Sequence, residues 1–252
     1  MKYDNLRDLG SQTARGGFKN EDDVVRKFNS WKDDEDARKW LAIMKYDLDE
    51  IEYVKAYKIT RQKTDVQVQI TVTIKLKSIM DVQNLQVKLV SNIRGFNQVD
   101  KRWVDNYVDL WGIPQEVTVL LKKFTGESSP CISTPRDCRR MFADEFSMKE
   151  QSVILDFLNS NKTMIVSDIL KGRGKLAAEW MLVVQKISRN ARWVLKPMNF
   201  AINHFGNGSV VITSLGSFKI GRITMQRKGG DAGRKTAKML QFKINPAELF
   251  EV

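Results

Sequence analysis

The sequence predicts an α+β protein, a mixed β-sheet flanked by helices followed by a β-rich, basic half. Three observations carry this: helical apolar spacing within residues 13–46, a period of two from Val66 to Ile74, and a run of strand-like segments beyond residue 162. In the first helix, "GFKNEDDVVRKFNSW", residues Phe18, Val24, Val25 and Phe28 fall at helical spacing, with Gly16 and Gly17 placed before its start. "DDEDARKWLAIM" begins acidic and turns basic and apolar, which suits the helix macrodipole. "YVKAYKI" reads as a strand. Val66, Val68, Ile70, Val72 and Ile74 alternate with Gln67, Gln69, Thr71 and Thr73, so a second strand follows. After a break around "KLKSIMDVQN", Leu85, Val87 and Leu89 alternate with Gln86 and Lys88. "DKRWVDNYVDLWG" predicts a helix ended by Gly112 and Pro114. Residues 126–137, "GESSPCISTPRD", hold two prolines, a glycine and four Ser/Thr and predict a boundary, giving domains 1–130 and 131–252. A helix "EQSVILDFLNSNK" comes next. "TMIVSDIL", "AAEWMLVVQKI", "ARWVLKPM", "SVVITSL", "SFKIGRITMQRK" and "AKMLQFKI" then read as strands.

Charge is unevenly placed. The chain carries a formal +12, yet between Lys171 and Lys243 fifteen Lys and Arg face only Glu179 and Asp231. That segment is +13 and the rest is near −1. Such concentration is the electrostatic footprint of a surface that meets phosphates. "MKYDNLRDLG" has no apolar h-region and no run reaches the roughly 20 apolar residues of a membrane helix, so a cytoplasmic protein is expected. Cys131 and Cys138 fit no metal or redox spacing and are expected as free thiols.

The chemistry concentrates on the paired strands. Asp65 falls on the face opposite Val66, and Gln86 and Lys88 share a face two residues apart. If the strands are neighbours, a carboxylate, an amide oxygen and an ammonium converge at one end of a sheet. The first two are hard oxygen donors suited to Mg²⁺, and the third can orient a water and balance a phosphate charge. The bland alternative is the solvated face of an amphipathic hairpin.

The spacing TD-x20-QVK resembles the PD-(D/E)XK motif of a nuclease superfamily that includes many type II restriction enzymes. Two departures stand out: Thr64 replaces the proline, and Gln86 replaces the acid, which removes one negative charge at a metal. "GFKNE", "QVKLVSNIRGFNQVDKRW" (86–103), "GRGKLAAEW" (172–180) and "GRITMQRKGGDAGRKTAKMLQFKI" (221–244) together resemble the HinP-type, GCGC-cutting restriction endonucleases, small relatives of the CCGG-cutting Msp enzyme. The resemblance runs in the same order over nearly the whole chain. It implies an α/β/α-like catalytic core in 1–130, a DNA-recognition domain in 131–252, and Asp65, Gln86 and Lys88 as the catalytic centre. It further implies Mg²⁺ as cofactor, with Asp65 and Gln86 as its ligands, and hydrolysis at a four-base-pair G/C site, most simply GCGC, leaving a 5′-phosphate. One catalytic site per chain, a monomer or weak dimer, and a cognate DNA methyltransferase belong to the same implication. Glu21 lies where superfamily members often carry an acid facing the site; alternatively it is an exposed helix acid beside Asp22 and Asp23. The rival readings are a repair or structure-specific nuclease of the same fold and a non-catalytic DNA-binding protein.

Selecting a site requires base contacts. "MQRKGGDAGR" puts Gln226, Arg227, Lys228, Asp231 and Arg234 among three glycines, donors and acceptors matched to G·C pairs, unless it is simply a charged turn. After the catalytic strand, Asn97 and Gln98 carry amides suited to base edges, and Arg94, Lys101 and Arg102 suit phosphates. Asn97 could equally cap the next helix. Lys171, Arg173 and Lys175 in "KGRGK" suit DNA backbone or a mobile basic loop. "GGDAGRKT" is no P-loop, since Arg234 separates Gly233 from Lys235. His204 is the only histidine, so a His-based metal site or a Ser-His-Asp triad would rest entirely on that one residue. Trp40, Trp103 and Trp180 lie on apolar stripes and are expected in the core.

Overall fold

The computed structural model describes residues 2–60, 63, 65–74, 77–130, 132, 135–187, 191–230 and 234–252, with backbone only for 2–15, 73, 74, 77 and 78. The chain forms two compact units. One comprises Gly10–Gly95, Lys171–Ala201 and Asn245–Val252, and the other Met1–Leu9, Phe96–Leu170 and Ile202–Ile244. The compact units therefore part at 9/10, 95/96, 170/171, 201/202 and 244/245, and no boundary falls at 130/131. The cause is a parallel strand pair, which needs a long crossover; here most of the second unit is built inside that crossover.

In the first unit, β1 (Ile51–Lys58), β2 (Val66–Ile74), β3 (Lys77–Val90), β5 (Trp180–Gln185) and β6 (Arg192–Pro197) form a sheet in that order. β2 and β3 pair antiparallel, Val66 opposite Leu85 through to Ile74 opposite Lys77. β3 then pairs in parallel with β5, Gln86 opposite Met181 and Lys88 opposite Val183. Of the break expected at "KLKSIMDVQN", Lys75 and Leu76 lie outside the described residues and the rest is strand: β3 runs from Lys77 through fourteen residues, its first half held along β2 and its second half along β5. Helices α1 (Lys2–Asn29) and α2 (Glu35–Ile43) contribute Val24, Phe28, Ala37, Trp40 and Leu41 to a core with Val66, Val68, Ile70, Leu85, Val87 and Leu182. Trp40 packs against Phe28 and edge-on to Trp193. α1 does not begin after the glycines as expected but runs through them, and a Cβ on Gly16 would sit 3.5 Å from Leu89 Cδ2, where the helix comes close to β3. Phe18, expected with the core residues, is exposed, with Lys58 Nζ 5.0 Å from its ring centre.

The second unit is built on the sheet β4 (Asn97–Arg102), β10 (Leu240–Ile244), β9 (Ile223–Arg227), β8 (Phe218–Ile220) and β7 (Val210–Ile212). Three sequence readings change here. "DKRWVDNYVDLWG" is not one helix, because its first residues extend β4 along β10, and helix α3 (Val104–Trp111) starts only after the extended Trp103. Asn97 therefore lies on a strand, and Trp103 takes the position before α3. "TMIVSDIL" is helical, within α6 (Lys162–Leu170); it is buried on nearly all sides, which erases the period that separates helix from strand. Helices α4 (Gln115–Thr125) and α7 (Met198–Gly206) were not read, whereas α5 (Met148–Ser160) was. α5 starts on a capping box from Ser147 and Glu150. One face of this sheet is largely apolar: Phe218, Ile220, Ile223, Met225, Leu240, Phe242 and Ile244 are all buried, with the buried Asp100 of β4 across from Phe242. Tyr107 stacks on Trp111, and both meet Phe242 edge-on.

The β8–β9 hairpin turns on Gly221 and Arg222, with Gly221 at φ +58° and a hypothetical Cβ 2.6 Å from the Gly206 carbonyl oxygen. A side chain there meets unyielding backbone as well as an unfavourable φ. Gly221→Ala is expected to cost about 2 kcal/mol or more, lowering the melting temperature by roughly 4–8 °C, which differential scanning calorimetry would register.

Candidate active site

The register of β2 and β3 assembles the site. Beyond the Val66–Leu85 pair, the Asp65 N–H donates to Leu85 O at 2.8 Å, so Asp65 stands across from Gln86. Its carboxylate Oδ2 accepts from the Val87 N–H at 2.7 Å and lies 3.6 Å from Lys88 Nζ. The side chains of Asp65 and Lys88 are only 22% and 13% exposed. Gln86 is 2% exposed, and its Oε1 has no hydrogen-bond partner. A solvated hairpin face would leave these side chains open to water, whereas Gln86 is buried and Asp65 and Lys88 are largely covered. A carboxylate beside a buried amide oxygen with no donor is a set of hard oxygens that fits a divalent ion, which would satisfy Oε1. Among the described residues no group of three or more His, Cys, Asp or Glu could hold a metal, so this mixed carboxylate–amide pair is where the donor chemistry points.

Glu21 on α1 belongs to the same electrostatic neighbourhood. Its side chain is 16% exposed and pairs with Lys58 Nζ at 3.2 Å. Burial first, then the charge of Asp65, holds its carboxyl above the ordinary range, with Lys58 and Lys88 opposing. The exposed-acid alternative is set aside. A carboxyl with a raised folded pKa contributes stability below its unfolded pKa and loses it as pH rises through the folded one. Glu21→Gln removes that loss, and Lys58 keeps Asp22 at 3.0 Å. Metal-free melts should therefore place the variant above the wild type by roughly 2 °C at pH 8, with the gap closing near pH 4.

Two neighbours of the site were missed in the sequence. Lys58 ends β1 and joins Glu21 and Asp22; a lysine in an alternating strand carries no marker of such a role. Asn84, two residues before Gln86, is buried. Its Nδ2 donates to Lys175 O at 2.9 Å and Ala177 O at 3.1 Å, while its Oδ1 accepts from Gln67 at 3.0 Å. The basic loop of Lys171, Arg173 and Lys175 is thereby tied to the catalytic strand; an Asn at i−2 from the Q-x-K was the available signal.

A model of the R.HinP1I restriction endonuclease family matches residues 44–250, which include Asp65, Gln86 and Lys88. The chain belongs to that family. It is a restriction endonuclease, a type II site-specific deoxyribonuclease. The endonuclease is also similar in structure to the restriction endonuclease MspI, solved in complex with its cognate DNA: TM-score 0.65, 17% identity, 96% of each chain covered. At that identity the likeness concerns the fold. No curated protein matches the chain.

The remaining candidates divide between the units. In the first, Arg94 is exposed in the loop after β3, Lys171 is half-buried, and Arg173 and Lys175 are exposed. In the second, Asn97, Gln98, Lys101 and Arg102 lie on β4 rather than in a loop. Arg102 pairs with the buried Asp100 at 3.2 Å. Gln226 and Arg227 point to opposite faces of β9; Arg227 donates to Ala237 O at 3.1 Å and has only 9% of its side chain exposed. Lys228 follows on the Gln226 side and is half-buried, and Arg234 is exposed. Asp231 lies outside the described residues. Among the expected free thiols, Cys138 is free and exposed, and Cys131 lies outside the described residues. No helix among the described residues is long and apolar enough to cross a membrane.

Proposed function

We propose that the endonuclease uses Mg²⁺ at Asp65 and Gln86 to hydrolyse duplex DNA at the four-base-pair site GCGC. The observation that carries the catalytic reading is the buried, unpartnered Gln86 Oε1 beside Asp65 and Lys88. The Asp65 carboxylate and Gln86 Oε1 are the groups that would hold the ion. Once bound, it supplies Lewis-acid polarisation of the scissile phosphate and activation of water. Lys88 orients the attacking water and offsets charge gathering on the phosphoryl oxygens. The new P–O bond forms in line as the P–O3′ bond breaks; the proton passes to the leaving 3′ oxygen, and a 5′-phosphate remains. Glu21, held next to Asp65, tunes the charge of the site.

Specificity for G·C pairs is assigned to the second unit, with Gln98, Gln226 and Lys228 as base readers and Asn97 and Asp231 assigned with them, whereas Arg227, on the opposite face of β9 and bonded to Ala237 O, is left to hold the strand in place. Arg94, Lys101, Arg102, Lys171, Arg173, Lys175 and Arg234 are the phosphate contacts. The division of labour expected of 1–130 and 131–252 passes to the two compact units. The enzyme acts in the cytoplasm as a monomer or weak dimer, paired with a cognate DNA methyltransferase that protects the host's own sites. With one catalytic centre per chain, a GCGC duplex should be cut in Mg²⁺ through a nicked intermediate and left intact in EDTA. Cleavage unaffected by EDTA would contradict the metal, and equal cleavage of a scrambled duplex would contradict the site.

A further inference from the structure

The polar face of the second sheet holds a second Q-x-K pattern, Gln241-Phe242-Lys243 on β10, that sequence reading left unassigned. Phe242 points into the core; Gln241 and Lys243 point away from it. Gln241 pairs across with Gln226 of β9 and Lys101 of β4, and Lys243 with Thr224 and Gln98. Paired residues share a face, so these side chains form one polar bed. The strand irregularity between Phe242 and Lys243 makes Val99 the extra residue of β4, which brings Gln98 and Lys101 onto the same side.

Gln241 is 5% exposed, flanked by these long side chains. Its Nε2 donates to Gln98 Oε1 at 2.6 Å, and its own Oε1 has no partner. One N–H of its amide is engaged, and Oε1, covered by the neighbouring side chains, is left as an unmatched acceptor. A buried acceptor left unmatched is destabilising unless a ligand supplies the donor. Lys243, half-buried beside Lys228, is a donor with its charge pushed toward the neutral form by burial and by that neighbour, an environment that a guanine acceptor relieves. In the major groove, cytosine offers the N4 amino donor and guanine the O6 and N7 acceptors, and the groove admits a β-ribbon. Positions i and i+2 on a strand lie about 6.8 Å apart, near two base-pair rises of about 3.4 Å.

We propose that Gln241 and Lys243 are specificity-determining residues: Gln241 Oε1 accepts from cytosine N4, and Lys243 Nζ donates to guanine O6 or N7, within the recognised site. This rests on the reading of the enzyme as a G/C-site endonuclease. A plasmid digest first fixes the recognised site, so a site other than GCGC corrects that reading while leaving the Gln241 assignment to be tested on the mapped site. Each cytosine of the site is then replaced in turn by 2-pyrimidinone, which lacks the N4 amino group. Cleavage in Mg²⁺ and binding in Ca²⁺ are both measured. Wild type should lose about 10- to 100-fold at one cytosine. Gln241→Met should show that loss on the intact site and less than about twofold further loss on the analogue. Gln241→Glu, which keeps the acceptor, should remain sensitive to the analogue. Lys243→Met should be indifferent to 7-deazaguanine at one guanine where wild type is not, an arm that stands even if Gln241 variants fold poorly. Wild-type indifference to every analogue, or undiminished sensitivity in both methionine variants, would overturn the proposal.

Discussion

Lys88→Met and Asp65→Asn are each expected to lower single-turnover cleavage of a GCGC duplex by at least about 10³-fold while leaving its binding in Ca²⁺ within a few-fold. The Asp65–Lys88 ion pair is not what holds the fold together. Its members are 3.6 Å apart and mostly buried, where desolvation offsets the Coulombic gain, so the pair is weak evidence for stability. Breaking it singly exposes the asymmetry. Lys88→Met leaves Asp65 with its Val87 N–H donor, whereas Asp65→Asn leaves an ammonium in a half-closed site. The second variant should melt lower than the first, and the double variant should regain most of the difference while staying inactive. Recovery of stability without recovery of cleavage separates a catalytic pair from a structural one. Robust cutting by either single variant would remove the assignment.

Gln86→Met should do the reverse of an ordinary core substitution. The side chains are close in volume, and the change deletes an acceptor that no protein donor satisfies. Removing an unpaired buried acceptor is worth about 1 kcal/mol, so the metal-free protein should melt roughly 2–4 °C higher. Cleavage should fall by about 10²-fold or more, because one of the two oxygen donors is gone, and raising Mg²⁺ should recover part of it. A variant that melts lower and cuts at the wild-type rate in limiting Mg²⁺ would mean that Gln86 is a packing residue.

Much of this was legible in the residues. The period of two in Val66–Ile74 and Leu85–Leu89 placed the strands, and their pairing brought Asp65, Gln86 and Lys88 together. What the alternation could not reveal was burial. Period two marks two faces without saying that β5, from ninety residues further on, covers the edge that would have left β3 half-open. The same crossover explains why the compact units interleave instead of parting at the Pro-rich loop. α6 misled because a helix buried all round loses its apolar stripe, and β4 misled because its polar residues are paired along β10 and not displayed on a helix. Gln241 was hidden for a related reason. Its partnerless oxygen emerges only once Gln98 is seen to occupy its amide nitrogen.

The central claim is that one chain's Asp65–Gln86–Lys88 centre breaks DNA at a G/C-only tetranucleotide. Digesting a plasmid of known sequence in Mg²⁺ and sequencing every fragment end tests it most directly. The wild-type enzyme should give a discrete ladder whose ends all map to GCGC and carry 5′-phosphates, and Lys88→Met should give none. Ends scattered over the sequence, as a repair or structure-specific nuclease would leave, or binding without cleavage, would contradict it.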